Sequence, residues 1–179
     1  MKSKLYIVGI LLVFLLSVGI ASATAQTVTV KGATIGDMFS FSLAPDTVNI
    51  PLNLGVNAVS GNAVSIGGNG AWTLKAKDSM NGGSPKPVGT DGKMFQFKTD
   101  PAPMYAAGNF GLQIPIKIGV TGSTLTPLTA ADQTIKSGSQ EIYTGSLNFE
   151  QTVLATDPKT IADGTWYYAI HVVYTGSSV

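Results

Sequence analysis

One histidine, two glutamates and eight aspartates are the residues of this chain with the clearest capacity for chemistry. His171 lies in an apolar run, and the absence of cysteine excludes Cys–His catalysis and cysteine-containing zinc sites. A Ser-His-Asp triad stays formally open, although the chain contains no G-x-S-x-G motif. A half-exposed strand residue is the simpler interpretation of His171.

Paired carboxylates are the second candidate for catalysis, because two of them flanking a glycosidic bond can hydrolyse it. Glu141 and Glu150 are the two glutamates, whereas the aspartates mostly lie beside Gly, Pro or Ser, as in Asp157-Pro158 and Asp163-Gly164. Asp in such positions forms turns. We therefore expect that the chain is not an enzyme and carries no cofactor.

Calcium is a third chemical hypothesis, since the loop between residues 77 and 93 contains several oxygen ligands. Asp78 and Asn81 lie in "DSMNGG", and Asp91 lies in "TDGK". Calcium prefers such ligands on flexible loops, but the spacing does not follow the EF-hand pattern. A solvated turn is the simpler interpretation, with Asp78, Asn81 and Asp91 as the candidate ligands.

Aromatic side chains suggest a fourth chemistry, stacking against carbohydrate. Trp72 and Trp166 each share an alternating face with aliphatic residues, which favours a place in the core. Tyr105, Tyr143 and Tyr167 are freer to be exposed on the surface than the two tryptophans.

The elements that must position these residues are strands, because apolar and polar residues alternate along most of the chain. No sustained helical period occurs beyond the N-terminal leader. About nine or ten short strands separated by turn residues predict an all-β fold, an antiparallel β-sandwich of the Ig-like or jelly-roll kind. The predicted strands include residues 27–30, 38–43, 46–54, 63–66, 71–77, 93–98, 111–120, 141–154 and 164–179.

The predicted strand at residues 164–179 is apolar on both faces. One face carries Trp166, Tyr168, Ile170, Val172 and Tyr174, which are expected to anchor the strand in the core. The second face is also largely apolar, so we expect a long loop or a neighbouring subunit to cover it. Its residues are Tyr167, Ala169, His171 and Val173.

The first residues predict secretion. Lys2 and Lys4 precede an apolar run, and Ala21-Ser22-Ala23-Thr24-Ala25 offers a cleavage site after Ala23 or after Ala25. We therefore predict a signal peptide over residues 1–25 and a single domain over residues 26–179, secreted to the extracellular cell surface. An uncleaved leader is the alternative, and it is the only expected contact with a membrane.

The charge of the chain argues against nucleic acid as a partner. Arginine is absent, and removal of Lys2 and Lys4 with the leader leaves nine scattered lysines against ten acidic residues. Arginine is the residue best suited to bidentate phosphate recognition. Without arginine or a basic patch, binding to nucleic acid or anionic lipid is not expected.

The segment that follows the predicted cleavage site is a candidate assembly strand. It alternates polar and β-branched residues and would add to the sheet of a neighbouring copy by strand addition. Such a head-to-tail contact makes a linear homo-polymer. The alternative is that it forms the first strand of its own sheet. Its residues are Gln26, Thr27, Val28, Thr29 and Val30.

Two segments, "GNGAWTLKAKD" (68–78) and the stretch 140–178, resemble small secreted β-sandwich proteins of archaeal cell surfaces, particularly those of methanogens. In general form they are similar to TasA-like fibre subunits and archaeal bundling pilins. This resemblance implies a structural subunit of a filament, pilus or sheath, joined by a donated strand that here matches residues 26–31. The short lead-in before "MFSFSL" departs from that pattern.

A monomeric surface module that binds carbohydrate or protein through the 77–93 loop is the alternative hypothesis.

Overall fold

The computed structural model describes residues 38–43 and 47–179, which form eleven strands and no helix. No described helix is therefore long and apolar enough to cross a membrane. All paired strands run antiparallel, as the alternation predicts. The strands are β1 Phe39–Leu43, β2 Gly55–Gly68, β3 Ala71–Asp78, β4 Phe95–Lys98, β5 Met104–Tyr105, β6 Lys117–Val120, β7 Thr126–Pro127, β8 Gln133–Ser139, β9 Ile142–Val153, β10 Tyr167–Ala169 and β11 Val172–Ser178.

These strands form three sheets. The largest has the order β1-β2-β9-β6-β7, and its longest pairing joins β2 to β9 from Gly55↔Val153 to Gly67↔Ile142. The second sheet has the order β11-β3-β8, and the third, which is small, has the order β10-β4-β5. The β2–β9 register shifts between Ser60 and Ala63, where one extra residue in β2 forms a bulge.

One hydrophobic core receives side chains from both larger sheets. Trp72 is 1% exposed and its Nε1 donates a hydrogen bond to the Glu141 carbonyl at 3.2 Å, so this tryptophan is not a surface platform. Each fully buried side chain of this kind contributes about 1.5–3 kcal/mol to the free energy of folding. The buried residues are Val64, Ile66, Trp72, Leu74, Ala76, Met94, Leu112, Ile116, Ile118, Val120, Leu128, Ile135, Leu147 and Phe149.

A smaller aromatic core lies at the small sheet. Phe95 and Phe97 of β4 and Tyr105 of β5 are buried there with Ala106. The rings of Phe97 and Tyr105 stack in a tilted arrangement with centroids 4.9 Å apart. Trp166 packs against this second core, with the Lys98 ammonium 4.8 Å from the centroid of its ring.

The predicted single strand at residues 164–179 is in fact two strands. β10 pairs with β4, and β11 pairs with β3, so the chain changes partner between Ala169 and Val172. The predicted common face also divides, between Trp166 and Tyr168. Trp166 packs on the small aromatic core, whereas Tyr168, Ile170, Val172 and Tyr174 pack on the main core.

The predicted strand at residues 46–54 is also different from the structure. Its described part, residues 47–54, is not assigned to a strand and pairs with no described strand. Val48, Ile50 and Leu52 nevertheless pack against the main core, while Leu54 is exposed. Pro51 lacks an N–H and cannot donate to a ladder, which contributes to the missing pairing.

A second proline shortens the strand predicted at residues 111–120. Only its last part, β6, forms a ladder, whereas Gly111 makes an isolated bridge with Phe95, and Pro115 lies between the two. Of the four alternating residues, Leu112, Ile116 and Ile118 are buried and Ile114 is half-buried, so the pattern identified most of the burial but not the hydrogen bonding.

A close contact between the two larger sheets gives a stability prediction. A Cβ at Gly176 of β11 would lie 2.8 Å from Cγ of Phe41 in β1 and 3.1 Å from Cδ1 of Ile66. We expect Gly176→Ala to lower the free energy of unfolding by about 1–3 kcal/mol through overpacking. Urea unfolding measures the loss. The control is Thr175→Ala, an exposed position of the same strand, and equal stabilities of the two variants would contradict the packing argument.

Candidate functional site

Four titratable side chains that are far apart in the sequence meet where β3 ends. They are Asp78, Lys86, Tyr105 and His171, and we call them the buried polar cluster. Lys86 contacts Asp78, Tyr105 contacts His171, and Ser79 donates its N–H to the His171 carbonyl at 2.8 Å. The cluster therefore links the loop of residues 79–92, which lies within the predicted 77–93 loop, to residues 170–171. We call these two residues the crossing between β10 and β11.

The centre of the cluster is an ion pair removed from water. Nζ of Lys86 lies 2.5 Å from Oδ2 of Asp78, and both side chains are 0% exposed. The same carboxylate accepts the N–H of Gly92 at 2.9 Å on Oδ2 and the N–H of Met80 at 3.1 Å on Oδ1. Asp78 is thus the point to which three parts of the loop are attached.

The local sequence explains why this carboxylate points inward. In β3 the buried positions are Trp72, Leu74, Ala76 and Asp78, which follow the period of two. The alternation that identified the strand therefore also indicated burial of Asp78. That signal was available in the sequence but was missed, because an Asp beside Ser was interpreted as a turn residue.

Backbone hydrogen bonds hold the loop around the ion pair. Asp78 donates its N–H to the Thr129 carbonyl at 2.8 Å, and Lys86 donates its N–H to the Met80 carbonyl at 2.9 Å. Asn81 and Pro85 form an isolated bridge between those two points. The 77–93 loop is therefore organised around a buried charge pair, in contrast to the solvated turn that the sequence suggested.

Burial also changes the proton affinity of the lysine. Desolvation lowers the pKa of Lys86, and the hydrogen bond and charge of Asp78 act in the opposite direction. A neutral amine is accordingly easier to form at this position than on a surface lysine.

The outer part of the cluster is the pair of Tyr105 and His171. Oη of Tyr105 lies 2.8 Å from Nδ1 of His171, and the imidazole packs edge-on to Phe97 with ring centroids 5.0 Å apart. Burial raises the pKa of Tyr105, so the phenol keeps its proton. Burial also lowers the pKa of His171, against a smaller opposing effect of Asp78. A neutral imidazole can then accept a hydrogen bond from the Tyr105 hydroxyl at Nδ1.

Part of the predicted second face is covered by residues of the same chain. Ala169 packs on the small aromatic core, and His171 lies against the backbone of Gly82 in the 79–92 loop. Tyr167 is 46% exposed and Val173 is 40% exposed. His171 is thus covered by the loop and Ala169 by the small aromatic core, whereas Tyr167 and Val173 lie open.

The predicted calcium ligands have other partners. Asp78 faces the Lys86 ammonium, and Oδ1 of Asn81 accepts the N–H of Gly83 at 2.9 Å. Asp91 is exposed. Within residues 38–43 and 47–179 no three His, Asp or Glu side chains converge as a metal site would require. A calcium ion at Asp78 would have to displace the lysine.

The two glutamates are well separated along β9. Glu141 precedes the strand, and Glu150 lies nine residues later, which corresponds to about 30 Å in an extended strand. Glycosidase carboxylates lie within about 10 Å of each other. Glu150 is instead paired with Lys117 at 2.6 Å. Glu141 and Glu150 therefore do not form a carboxylate pair of the kind considered from the sequence.

A groove opens beside the unpaired segment 47–52, and we call it the 47–52 groove. It has a volume of about 730 Å³, and one wall is formed by Val48, Ile50 and Leu52. The candidate assembly strand Gln26–Val30 lies outside the described residues. The remaining lining combines apolar or aromatic side chains, which include Met94, Leu112, Val153, Leu154, Trp166 and Tyr168, with the polar side chains of Asn49, Asp157, Lys159 and Thr160.

Comparisons with protein-family models, curated proteins and solved structures find no match to this chain. Its function is therefore inferred from its own geometry, above all from the segment 47–52 and the 47–52 groove.

Two glycines of the loop give a matched stability prediction. Gly92 and Gly89 both have positive φ angles, +67° and +76°, which cost an L-residue about 1–2 kcal/mol. A Cβ at Gly92 would lie 1.8 Å from the Leu128 carbonyl oxygen, whereas Gly89 faces open space. We expect Gly92→Ala to lower the free energy of unfolding clearly more than Gly89→Ala in urea titrations. Equal losses would show that the loop is not held against Leu128.

The histidine gives a pH prediction. Because its pKa is lowered in the folded protein, the unfolded chain binds a proton first as the pH falls through about 6.5, and stability is lost there. We expect the free energy of unfolding of the wild type to fall more steeply between about pH 7.5 and pH 5 than that of His171→Asn. Carboxylates elsewhere contribute equally to both proteins. Parallel profiles would mean that His171 does not titrate differently on folding.

Proposed function

We propose that this protein is a secreted structural subunit of an extracellular surface assembly, such as a filament, pilus or sheath. In this proposal the N-terminal strand of one copy completes the fold of the next. The observation that carries it is the segment 47–52, whose side chains are seated on the core while its backbone pairs with no described strand.

The unpaired backbone supports strand addition. Val48, Ile50 and Leu52 alternate with exposed residues as they would in a strand, yet the described chain supplies no neighbour for a ladder. Backbone N–H and C=O groups at such an edge are a template for an extended segment of another chain. The adjacent 47–52 groove supplies the apolar surface that gives such an addition its side-chain contacts.

The proposed occupant is residues 26–31 of a second copy. This segment has six residues, as does the segment 47–52, so the two match in length at about 20 Å each. Val28 and Val30 would face the apolar groove, and Thr27 and Thr29 would face away. The contact is heterologous and does not close on itself, so it produces a linear polymer.

Further properties of the chain agree with this role. Leu54 and Val56 are exposed next to the segment, and they extend the apolar surface toward a neighbouring copy. The two larger sheets share one core, which favours a β-sandwich of the Ig-like or jelly-roll kind. The predicted signal peptide and the resemblance to archaeal surface proteins favour an extracellular location.

A second candidate function is a monomeric binding module for carbohydrate or protein. Val88 at the tip of the 79–92 loop is 99% exposed, and a second groove of about 430 Å³ lies beside it. The lining of that groove includes Thr90, Asn109 and Gln113, whose polar groups suit a polar ligand.

Deletion of residues 26–31 tests strand donation. We expect the mature protein to form filaments visible by electron microscopy and to elute early in size exclusion, and we expect the deletion variant to elute as a monomer. A synthetic peptide of residues 26–31 should bind the deletion variant at one peptide per chain, because it fills the empty groove.

Matched substitutions identify the face that inserts. Val28→Asp with Val30→Asp should abolish the polymer, because burial of a charge against the apolar side chains of Val48, Ile50 and Leu52 is strongly disfavoured. Thr27→Ala with Thr29→Ala should leave it intact. A mature protein that stays monomeric with and without residues 26–31, while remaining folded, would overturn the proposal in favour of the binding module.

A further inference from the structure

The buried ion pair has an unusual hydrogen-bonding deficit. An ammonium group carries three N–H donors, yet Nζ of Lys86 has one hydrogen-bond partner among the described residues, Oδ2 of Asp78. The side chain is 0% exposed, so bulk water does not supply the others. A buried ammonium normally needs full hydrogen bonding to offset the loss of hydration.

The carboxylate is in the opposite situation. Asp78 receives Lys86 Nζ, the N–H of Gly92 and the N–H of Met80. These donors withdraw charge from the carboxyl group and hold its plane fixed. Such an arrangement makes the carboxyl carbon more susceptible to a nucleophile, as fixed backbone N–H groups do for the carbonyl in acyl transfer.

The lysine is also held in place. Pro85 and Pro87 flank Lys86 and restrict its backbone, and its N–H is bound to the Met80 carbonyl. Two groups fixed in contact react as if at very high concentration, because little orientational entropy remains to be lost. The geometry of the contact therefore favours a reaction between Asp78 and Lys86 as well as a charge pair.

We propose that Asp78 and Lys86 are joined by an intramolecular isopeptide bond, an amide that forms after folding without a cofactor. This cross-link is a property of the subunit itself and does not depend on the proposed polymerisation.

The reaction balances within the pair. The ammonium proton moves along the hydrogen bond to Oδ2, which leaves a neutral amine and a carboxylic acid. The Nζ lone pair then attacks Cγ of Asp78, and a bond forms between Nζ and Cγ. The bond from Cγ to the departing oxygen breaks, and that oxygen leaves as water with a second amine proton. No oxidant, reductant or other reactant is required.

The surroundings favour the product in two ways. Burial lowers the pKa of Lys86, which makes the attacking amine accessible. The amide is neutral and has a single N–H on nitrogen, so it removes two charges and the unsatisfied ammonium donors from a dry site. The product suits this environment better than the ion pair does.

The chain contains matched pairs that should not react. Lys117 lies 2.6 Å from Glu150, and Lys77 lies 3.2 Å from Asp132, but all four side chains are partly exposed to solvent. Water stabilises the charged forms of these groups, so they remain salt bridges. Contact distance alone therefore does not predict the cross-link, whereas contact together with burial does.

Peptide mass spectrometry of the purified secreted protein tests the proposal. Trypsin cleaves after Lys77 and Lys93 but not at the Lys86–Pro87 bond, so one peptide of residues 78–93 contains both groups. We expect this peptide to be lighter than its sequence by one water. Peptides that carry Lys117, Glu150 or Asp132 should have unchanged masses.

Fragmentation locates the lost water. Because the cross-link closes a ring from residue 78 to residue 86, single backbone breaks inside that range should release no separate fragments, whereas breaks between residues 87 and 93 should. A cyclic imide at Asp91-Gly92 also loses water. In that case backbone breaks between residues 78 and 86 still release separate fragments, and the imide opens in mild base. The isopeptide bond survives the same treatment.

Variants complete the test. Lys86→Arg and Asp78→Ala should restore the full mass, whether or not they are as stable as the wild type. An uncross-linked wild-type peptide of full mass, or a water loss confined to Asp91-Gly92, would overturn the proposal and leave Asp78 and Lys86 as a buried salt bridge.

Discussion

The carboxyl group of Asp78 is the constraint around which the rest of this structure is organised. It ends β3 on the buried side of the strand and receives contacts from Met80, Lys86 and Gly92. A carboxyl group in such a dry environment requires partners, and the loop is folded so that it provides them. The same loop lies against His171 through Gly82, so the end of β3 also positions the crossing between β10 and β11.

The parts of the fold that could be predicted from the sequence are those set by neighbours along the chain. β3 was predicted almost to the residue, because Trp72, Leu74 and Ala76 alternate strictly with polar residues. The division of the C-terminal strand was not predictable in this way. Which strand pairs with residues 167–169 and which with residues 172–178 depends on contacts with β4 and β3, which are distant in sequence.

The candidate site shows the same limit of prediction from sequence more clearly. Burial of Asp78 follows from the phase of its strand, but its partner Lys86 lies in a loop rich in Pro and Gly, where periodicity carries no information. The contact of Tyr105 with His171 joins residues 66 positions apart. Alternation and the turn residues between strands predicted the kind of fold and much of the core, whereas the polar contacts required the three-dimensional arrangement.

The position of the 47–52 groove at one end of the β2–β9 ladder determines how the protein responds to mechanical force. The segment 47–54 leads directly into β2, and residues 154–160 on the other side of the groove follow directly from β9. Both walls thus continue into the longest ladder of the molecule, which begins at Gly55↔Val153. Because both walls join the same end of this antiparallel ladder, a force that separates them would load the Gly55↔Val153 pair first. The pairing of β2 with β9 would then open in succession from that end.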